Sequence, residues 1–346
     1  FVGAPVLFPS FAHSQETTKA AFVYVGPVGD QGWSYQHDQG RKYLEKMMGD
    51  KVETTFVESV SVPESQRVFE QLARNGHDVI FGTSFGFMDP MKKVASQFPD
   101  VRFEHSSGFK TAENMNNYLG RMYQARYLAG MIAGEMTEED LIGVVAAHPI
   151  PEVIRELNAF ALGAQSTNSQ AKVKVIWSNS WYDPGQEKQA AQSLLEDGAD
   201  ILTQYQDSPA TGQAAREAGA LWIASNSDMR QFAPDHYLTS TIWNWGFYYV
   251  DTVREIRSGT WEVDEFWGGL ETGTVGLGAM SDKIPHQLKN EVITKQREIM
   301  AGEFHIFEGP IKDQNGNVRI EEGKIPDRDE LWAMDWFVQG IEGRPE

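Results

Sequence analysis

Two loops in this chain set a carboxylate and an indole within three residues of each other. One is Gly26-Pro27-Val28-Gly29-Asp30-Gln31-Gly32-Trp33 and the other is Trp181-Tyr182-Asp183-Pro184. In the first, three glycines let a ligand approach the backbone while the acid and the ring contact it. Two further turns, Thr83-Ser84-Phe85-Gly86-Phe87 and Ser225-Asn226-Ser227-Asp228, are equally rich in polar groups. The chemistry these residues support is ligand capture. The plain alternative is a set of connecting loops in which Trp33 packs under the next helix. A rival chemistry is hydrolysis of a glycosidic bond by a carboxylate cluster of Asp30, Asp183 and Asp228. Against it stand the absence of a Gly-x-Ser-x-Gly elbow and of a phosphate-binding Walker loop. The eight histidines show no ligand spacing, so no metal and no cofactor are expected.

Rigid elements must hold those turns. Ala20 to Val25 reads as a buried strand and Tyr35 to Met48 as a helix, which places the first turn at the carboxyl end of a strand. In an open α/β sheet ligands bind at that edge. Strands follow over Val52–Val57, Asp78–Gly82 and Val101–His105, with a helix opened by Pro63 and a long apolar one over Tyr123–Glu135. Such alternation forces parallel pairing and right-handed crossovers. The pattern then restarts, with strands over Leu141–Ala147, Val173–Trp177, Ala199–Tyr205, Leu221–Ala224 and Tyr237–Ile242. Two consecutive units of this kind read as two lobes. If the lobes face each other across their strand ends, the four turns meet in one cleft.

Other residues read as structural. Asp183, Ser208 and Asp89 are expected to cap helices. Trp177 and Trp222 lie inside strands and read as core, and Trp245 reads as hinge packing. Past Trp243 come a helix over Gly246–Ser258, an extended glycine-rich stretch over Phe266–Gly278, and a helix over Ile284–Met300. Asp313-Gln314-Asn315-Gly316 signals a hairpin, and Trp332 and Trp336 imply a docked C-terminus.

A chain of 346 residues exceeds the usual single core. Its net charge of −19 argues against nucleic acid or an anionic membrane as the main partner. It has no cysteine, which excludes disulfides, thiolate metal sites, a cysteine nucleophile and a lipid-modified N-terminal cysteine. Phe1 to Phe11 is apolar, and Ala12-His13-Ser14 fits a signal-peptidase site, so residues 1–17 are expected to be an export-signal remnant and leader. A soluble periplasmic protein is the expectation.

The order and spacing of several motifs resemble the basic membrane protein family of ABC-transporter substrate-binding proteins, which includes bacterial purine nucleoside receptors. The carriers are Gly29-Asp30-Gln31-Gly32-Trp33, Gly82 to Phe87, Tyr127-Leu128-Ala129-Gly130, Phe160 to Ala164, Trp181 to Pro184, Gly198-Ala199-Asp200 and Leu238-Thr239-Ser240. The resemblance implies a type I periplasmic-binding fold, with two Rossmann-like lobes, a ligand cleft and three hinge crossovers. The lobes would be 18–112 plus 243–265, and 113–242 plus 266–346.

The resemblance also implies that two aromatic rings sandwich a purine base, with Trp33 and Trp181 in the matching places. Asp30 and Asp228 match the family's acids, which hold ribose hydroxyls in nucleosides. Two departures stand out. A family lysine appears here as Trp243, and an acid that reads the base edge is replaced around Met122 to Gln124, where Tyr123 or Gln124 would take its role. Asp207 is a further reader, and Ser84 and Phe85 come from the second turn. Trp243 would fill the ribose space with apolar bulk, which favours a free nucleobase such as adenine over a nucleoside. The partners implied are the permease and ATPase of an importer, with the binding protein itself a monomer. A ligand sensor of the same fold and a nucleoside hydrolase are the alternatives.

Overall fold

Apolar runs bounded by glycine and proline turns produce buried strands, and the intervening amphipathic segments fold back over them as helices. The computed structural model describes residues 16–345. The expected cleavage site at Ala12-His13-Ser14 lies outside the described residues.

The first lobe is built from β1 (Thr18–Tyr24), α1 (Trp33–Met48), β2 (Val52–Val57), α2 (Val62–Arg74), β3 (Val79–Thr83), α3 (Met88–Ala95), β4 (Arg102–Ser106) and β5 (Met115–Gly120). The chain then crosses into α4 (Met122–Met136), β6 (Leu141–Ala146), α5 (Pro151–Thr167), β7 (Lys172–Trp177), α6 (Pro184–Glu196) and β8 (Ile201–Tyr205). The second lobe continues with α7 (Ala210–Ala218), β9 (Leu221–Ala224) and β10 (Tyr237–Trp243). The chain returns for α8 (Gly246–Ser258) and β11 (Glu265–Gly268), then crosses again to β12 (Val275–Leu277) and α9 (His286–Ala301). A hairpin of β13 (Ile311–Lys312) and β14 (Val318–Ile320), the short α10 (Arg328–Trp332) and β15 (Ile341–Glu342) complete it.

The first sheet has the order β11-β5-β4-β3-β1-β2 and the second β12-β10-β9-β8-β6-β7-β15. All pairings in the first are parallel. In the second, β12 alone runs antiparallel, against β10. The connections β5–α4, β10–α8 and β11–β12 are the three crossovers between lobes. Parallel strands covered on both faces must be apolar throughout, and β1, β3 and β8 are buried almost end to end.

The lobe boundaries differ from the expected ones. Residues 115–120 and 266–268 belong to the first sheet, not to the second lobe. The reason is chemical. β5 reads Met-Asn-Asn-Tyr-Leu-Gly, which carries no apolar run, yet all six residues are buried. Asn116 is satisfied by side-chain bonds, its Nδ2 donating to Glu104 Oε1 at 3.4 Å and to the Glu262 carbonyl at 3.3 Å, while Asn117 Oδ1 meets His105 Nδ1 at 3.3 Å. Asp89 is also not the cap of α3. It pairs with Lys110 at 2.6 Å in the first turn of that helix. Asp183 does cap α6, accepting from Gly185 N and Gln186 N, and the C-terminus docks through β15 against β7.

Helices α4 and α5 lie unusually close. A Cβ on Gly130 would stand 2.1 Å from the Phe160 carbonyl oxygen, and one on Gly163 2.0 Å from that of Tyr127. Only glycine at both positions permits this backbone approach, and the approach sets side chains of the two helices against each other on the cleft side.

Candidate functional site

The four turns do converge. Their residues line one cleft between the lobes with an empty volume of about 530 Å³, part of it open to solvent. Trp33 enters from the first lobe and Trp181 from the second. Trp33 is fixed by its indole N–H, which donates to the Thr83 carbonyl at 2.7 Å, and by edge contacts with His37, Trp243 and Trp245. Trp181 meets His148 edge-on at 5.0 Å, and its carbonyl accepts from Asp207 N at 3.1 Å. Both rings are half-buried. Among the described residues they make no ring contact with each other, so each keeps a face for a ligand.

The lobes touch beside these rings. Trp33 N donates to Asp207 Oδ1 at 3.2 Å, and Gln36 Nε2 donates to the Trp243 carbonyl at 2.5 Å. Ser227 Oγ donates to the Gln31 carbonyl. These contacts describe a closed cleft. Asp30 lies in the same seam and is almost fully buried. Its Oδ1 accepts from Gly32 N at 2.7 Å and Tyr35 N at 3.0 Å, so it caps the start of α1. The second oxygens of Asp30 and Asp207 are buried without a partner.

Burial therefore dominates the seam's acids. It pushes Asp30 up to about 7 against the backbone N–H bonds, with the charge of Glu187 adding to the rise. Glu187 is pushed up to about 7 by burial, opposed by the Ser208 hydroxyl. Asp207 is raised by burial first and by Asp30 second. Like charges this close and this dry do not all ionise together.

The floor of the cleft comes from the close pair α4 and α5. Arg126 is 2% exposed and pairs with Glu156 at 3.3 Å. It donates to Ser225 Oγ at 2.6 Å and lies 3.7 Å from the centre of the Tyr205 ring. Such a face-on contact adds to the ion pair. Glu152, one turn before Glu156, also faces the cleft. Burial pushes it up to about 8, with the neighbouring Glu156 adding and Arg155 and Ser107 opposing. It is partly accessible and lines both this cavity and a smaller one beside Arg155 and Trp332.

The expected site residues divide as follows. Trp33, Ser84, Phe85, Trp181, Asp207 and Trp243 all line the cleft. Asp30 stands behind the lining as a cap. Asp228 is a correction: it is exposed and held by Arg230 at 2.6 Å, outside the cleft, while the preceding Ser225 and Asn226 turn inward. Tyr123 and Gln124 are corrections too. They line a separate groove with Phe304 and Phe307. The Gln124 Oε1 accepts from Leu270 N at 2.9 Å, which ties two interlobe crossovers together and turns the amide away from the cleft. The triad Asp30, Asp183 and Asp228 is not assembled, since one caps α1, one caps α6 and one lies at the surface. Sequence reasoning missed Arg126, Glu152, Glu156 and Tyr205. An arginine in the otherwise apolar α4 was the available signal, because a buried charge needs a partner.

Trp243 is 2% exposed, stacks on Trp245 at 4.8 Å and 15°, and donates its N–H to Asn226 Oδ1 at 3.0 Å. It closes the cavity beside Trp33.

Comparison with known proteins agrees with this architecture. Residues 17–309 match the family described as Bmp, ABC transporter substrate-binding protein PnrA-like. A purine-binding protein of Brucella abortus (strain 2308) is 44% identical over 334 residues, 96% of this chain and 95% of the relative. A putative ABC transporter glucose-binding protein of Haloferax volcanii is 43% identical over 328 residues, covering 95% of this chain and 81% of the relative. A solute-binding protein structure from Aeropyrum pernix K1 superposes with a TM-score of 0.75 at 18% identity, over 91% of this chain and 95% of that one. The fold is that of type I periplasmic-binding proteins, and the chain belongs to the Bmp family of PnrA-like ABC transporter substrate-binding proteins.

Proposed function

We propose that the protein captures a purine nucleobase, adenine-like, between Trp33 and Trp181 and delivers it to the permease of an ABC importer without chemical change. The observation that carries the nucleobase is Trp243. Its buried ring packs edge-on beside Trp33, and a base stacked on Trp33 in the proposed pose would leave no room there for an attached sugar. An aromatic face contributes about 1–3 kcal/mol per stacked base, and one ring from each lobe makes that gain depend on closure. A ligand shifts the open–closed equilibrium only by its differential affinity for the two states. Among the described residues no helix is long and apolar enough to cross a membrane. Support for the purine comes from the Brucella abortus relative's name.

A thermal-shift and tryptophan-fluorescence screen tests the reading with adenine, guanine, hypoxanthine, adenosine, guanosine and glucose. Ligand at about 100 times its Kd adds roughly 2.7 kcal/mol of stability. Free bases are expected to act and nucleosides not. Better binding by nucleosides overturns the role given to Trp243. Binding by glucose alone, as the Haloferax volcanii relative's name would suggest, overturns the purine reading.

A further inference from the structure

We propose that Glu152 is the specificity-determining residue of the cleft, pairing through its carboxyl group with the ring-nitrogen and amino edge of an adenine-type base. The inference rests on the purine reading above and deepens it.

Placement leads to this side chain, an acid in the first turn of α5 on the cleft wall. Several other polar groups of the wall are engaged, while Tyr205 Oη and Arg126 Nη1 are buried without a partner. Glu156 is held by Arg126. Asn226 accepts from Trp243 Nε1 and donates to Asp207, and Asp207 Oδ1 is bound by the Trp33 amide. The Ser225 hydroxyl accepts from Arg126. Among the described residues no ion pair reaches Glu152, although it opens on the cavity from the first turn of α5. Asp207 Oδ2 and Tyr205 Oη are the rival unpartnered oxygens, but Asp207 belongs to the seam that joins the lobes and the Tyr205 ring lies under Arg126.

The groups that face Glu152 keep its proton in place. From its own helix come Glu156, which repels a second charge, and Arg155. Arg155 donates to the Leu331 carbonyl at 2.8 Å and lies near the Trp332 ring, and its charge opposes the rise at Glu152. Arg126 from α4 is committed to Glu156, and Asp207 across the cavity adds no cation. On the first-lobe side stand the Ser107 hydroxyl, which hydrogen-bonds the Glu152 carboxyl and opposes the rise, and, behind Ser84, His105. Burial lowers His105 to about 4, so it is neutral. A carboxyl raised to about 8 is protonated at neutral pH.

The protonation state decides which base fits. A neutral carboxylic acid has one O–H donor and one carbonyl acceptor. Those two match the ring nitrogen and exocyclic amino group of adenine, the edge that asparagine and glutamine amides read. A guanine edge of two adjacent N–H donors matches the ionised carboxylate instead. The residue thus selects adenine below the carboxyl's pKa and loses that selectivity above it.

The test is isothermal titration of adenine and guanine between pH 6 and 9 on the wild type, Glu152→Gln and Asp207→Asn. In the wild type, adenine affinity should be flat to about pH 8 and then fall, approaching tenfold per pH unit, while guanine gains. Glu152→Gln should keep adenine affinity within about threefold, equivalent to less than 1 kcal/mol, and lose the pH dependence. Asp207→Asn should keep the fall above pH 8. Adenine binding that is indifferent to pH in the wild type, or a fall that persists in Glu152→Gln, overturns the role of Glu152 while leaving the purine reading intact. Absence of any purine binding overturns both.

Discussion

The backbone N–H of Trp33 donates to Asp207 Oδ1 across the lobe boundary at 3.2 Å, and Asp207 N in turn donates to the carbonyl of Trp181 at 3.1 Å. One residue therefore bridges the two turns that carry these indoles. It ties the contact between the lobes to the relative placement of those turns.

The residue before Trp33 shows how tight that closure is. A Cβ on Gly32 would lie 2.4 Å from the Asp207 carbonyl oxygen. Gly32→Ala is expected to hold the lobes apart while leaving each lobe folded. Ligand affinity should drop by at least about tenfold because the competent closed state is depopulated. Small-angle scattering of the ligand-saturated variant should keep the dimensions of the open form. A variant that closes normally would show that the seam yields.

The seam's acids make stability depend on pH. Asp30 rises from 3.8 to about 7 and Glu187 from 4.5 to about 7, both chiefly through burial. The folded state binds these protons more tightly than the unfolded chain does. Their contribution is therefore complete below about pH 4 and is lost as pH rises toward 7, at up to roughly 1.4 kcal/mol per unit and group. The melting temperature should fall between pH 5 and 8. Asp30→Asn, whose side-chain oxygen still accepts from Gly32 and Tyr35, should show a smaller fall. An equal fall in both proteins would place the effect elsewhere.

The two indoles should respond differently to truncation. Trp33 is anchored by a hydrogen bond and three aromatic neighbours, whereas among the described residues Trp181 has the ring of His148 alone beside it. Trp181→Ala is expected to weaken ligand binding by about 1–3 kcal/mol with little change in melting temperature. Trp33→Ala should lose both affinity and stability. Calorimetry of binding and of melting on the two variants separates the effects, and equal stability losses would contradict the packing described.

Trp243 gives a test of ligand size. Its removal leaves a cavity beside Trp33 and Trp245, with a stability cost of about 3–5 kcal/mol. In Trp243→Ala the affinity of adenosine relative to adenine should rise. If the ratio is unchanged, the ring does not bar the ribose.

Much of this fold was legible in the chain. Apolar runs such as Ala20 to Val25 fix buried strands, and the glycine and proline turns after them fix where α1 and α6 begin, so the Trp33 and Trp181 turns fall on strand ends from local pattern alone. Asp183 capping α6 is a local event of the same kind. The order of motifs was enough to identify two lobes.

Tertiary structure decided the rest. β5 escaped notice because Asn116, buried within it, bonds to a partner as distant in sequence as Glu262, and no local pattern reports a remote partner. Asp228 and Asn226 are two residues apart on one turn, and only the path of that turn makes one a surface ion pair and the other part of the cleft wall. Gln124 faces the crossover at Leu270 because the chain returns there. Arg126, Glu152 and Glu156 meet across two helices whose glycines let the backbones approach, a distance that no spacing along the sequence encodes. Composition and periodicity determine elements and turns, since these are short-range. Which charges face each other in the dry cleft is a long-range outcome, fixed when the lobes close.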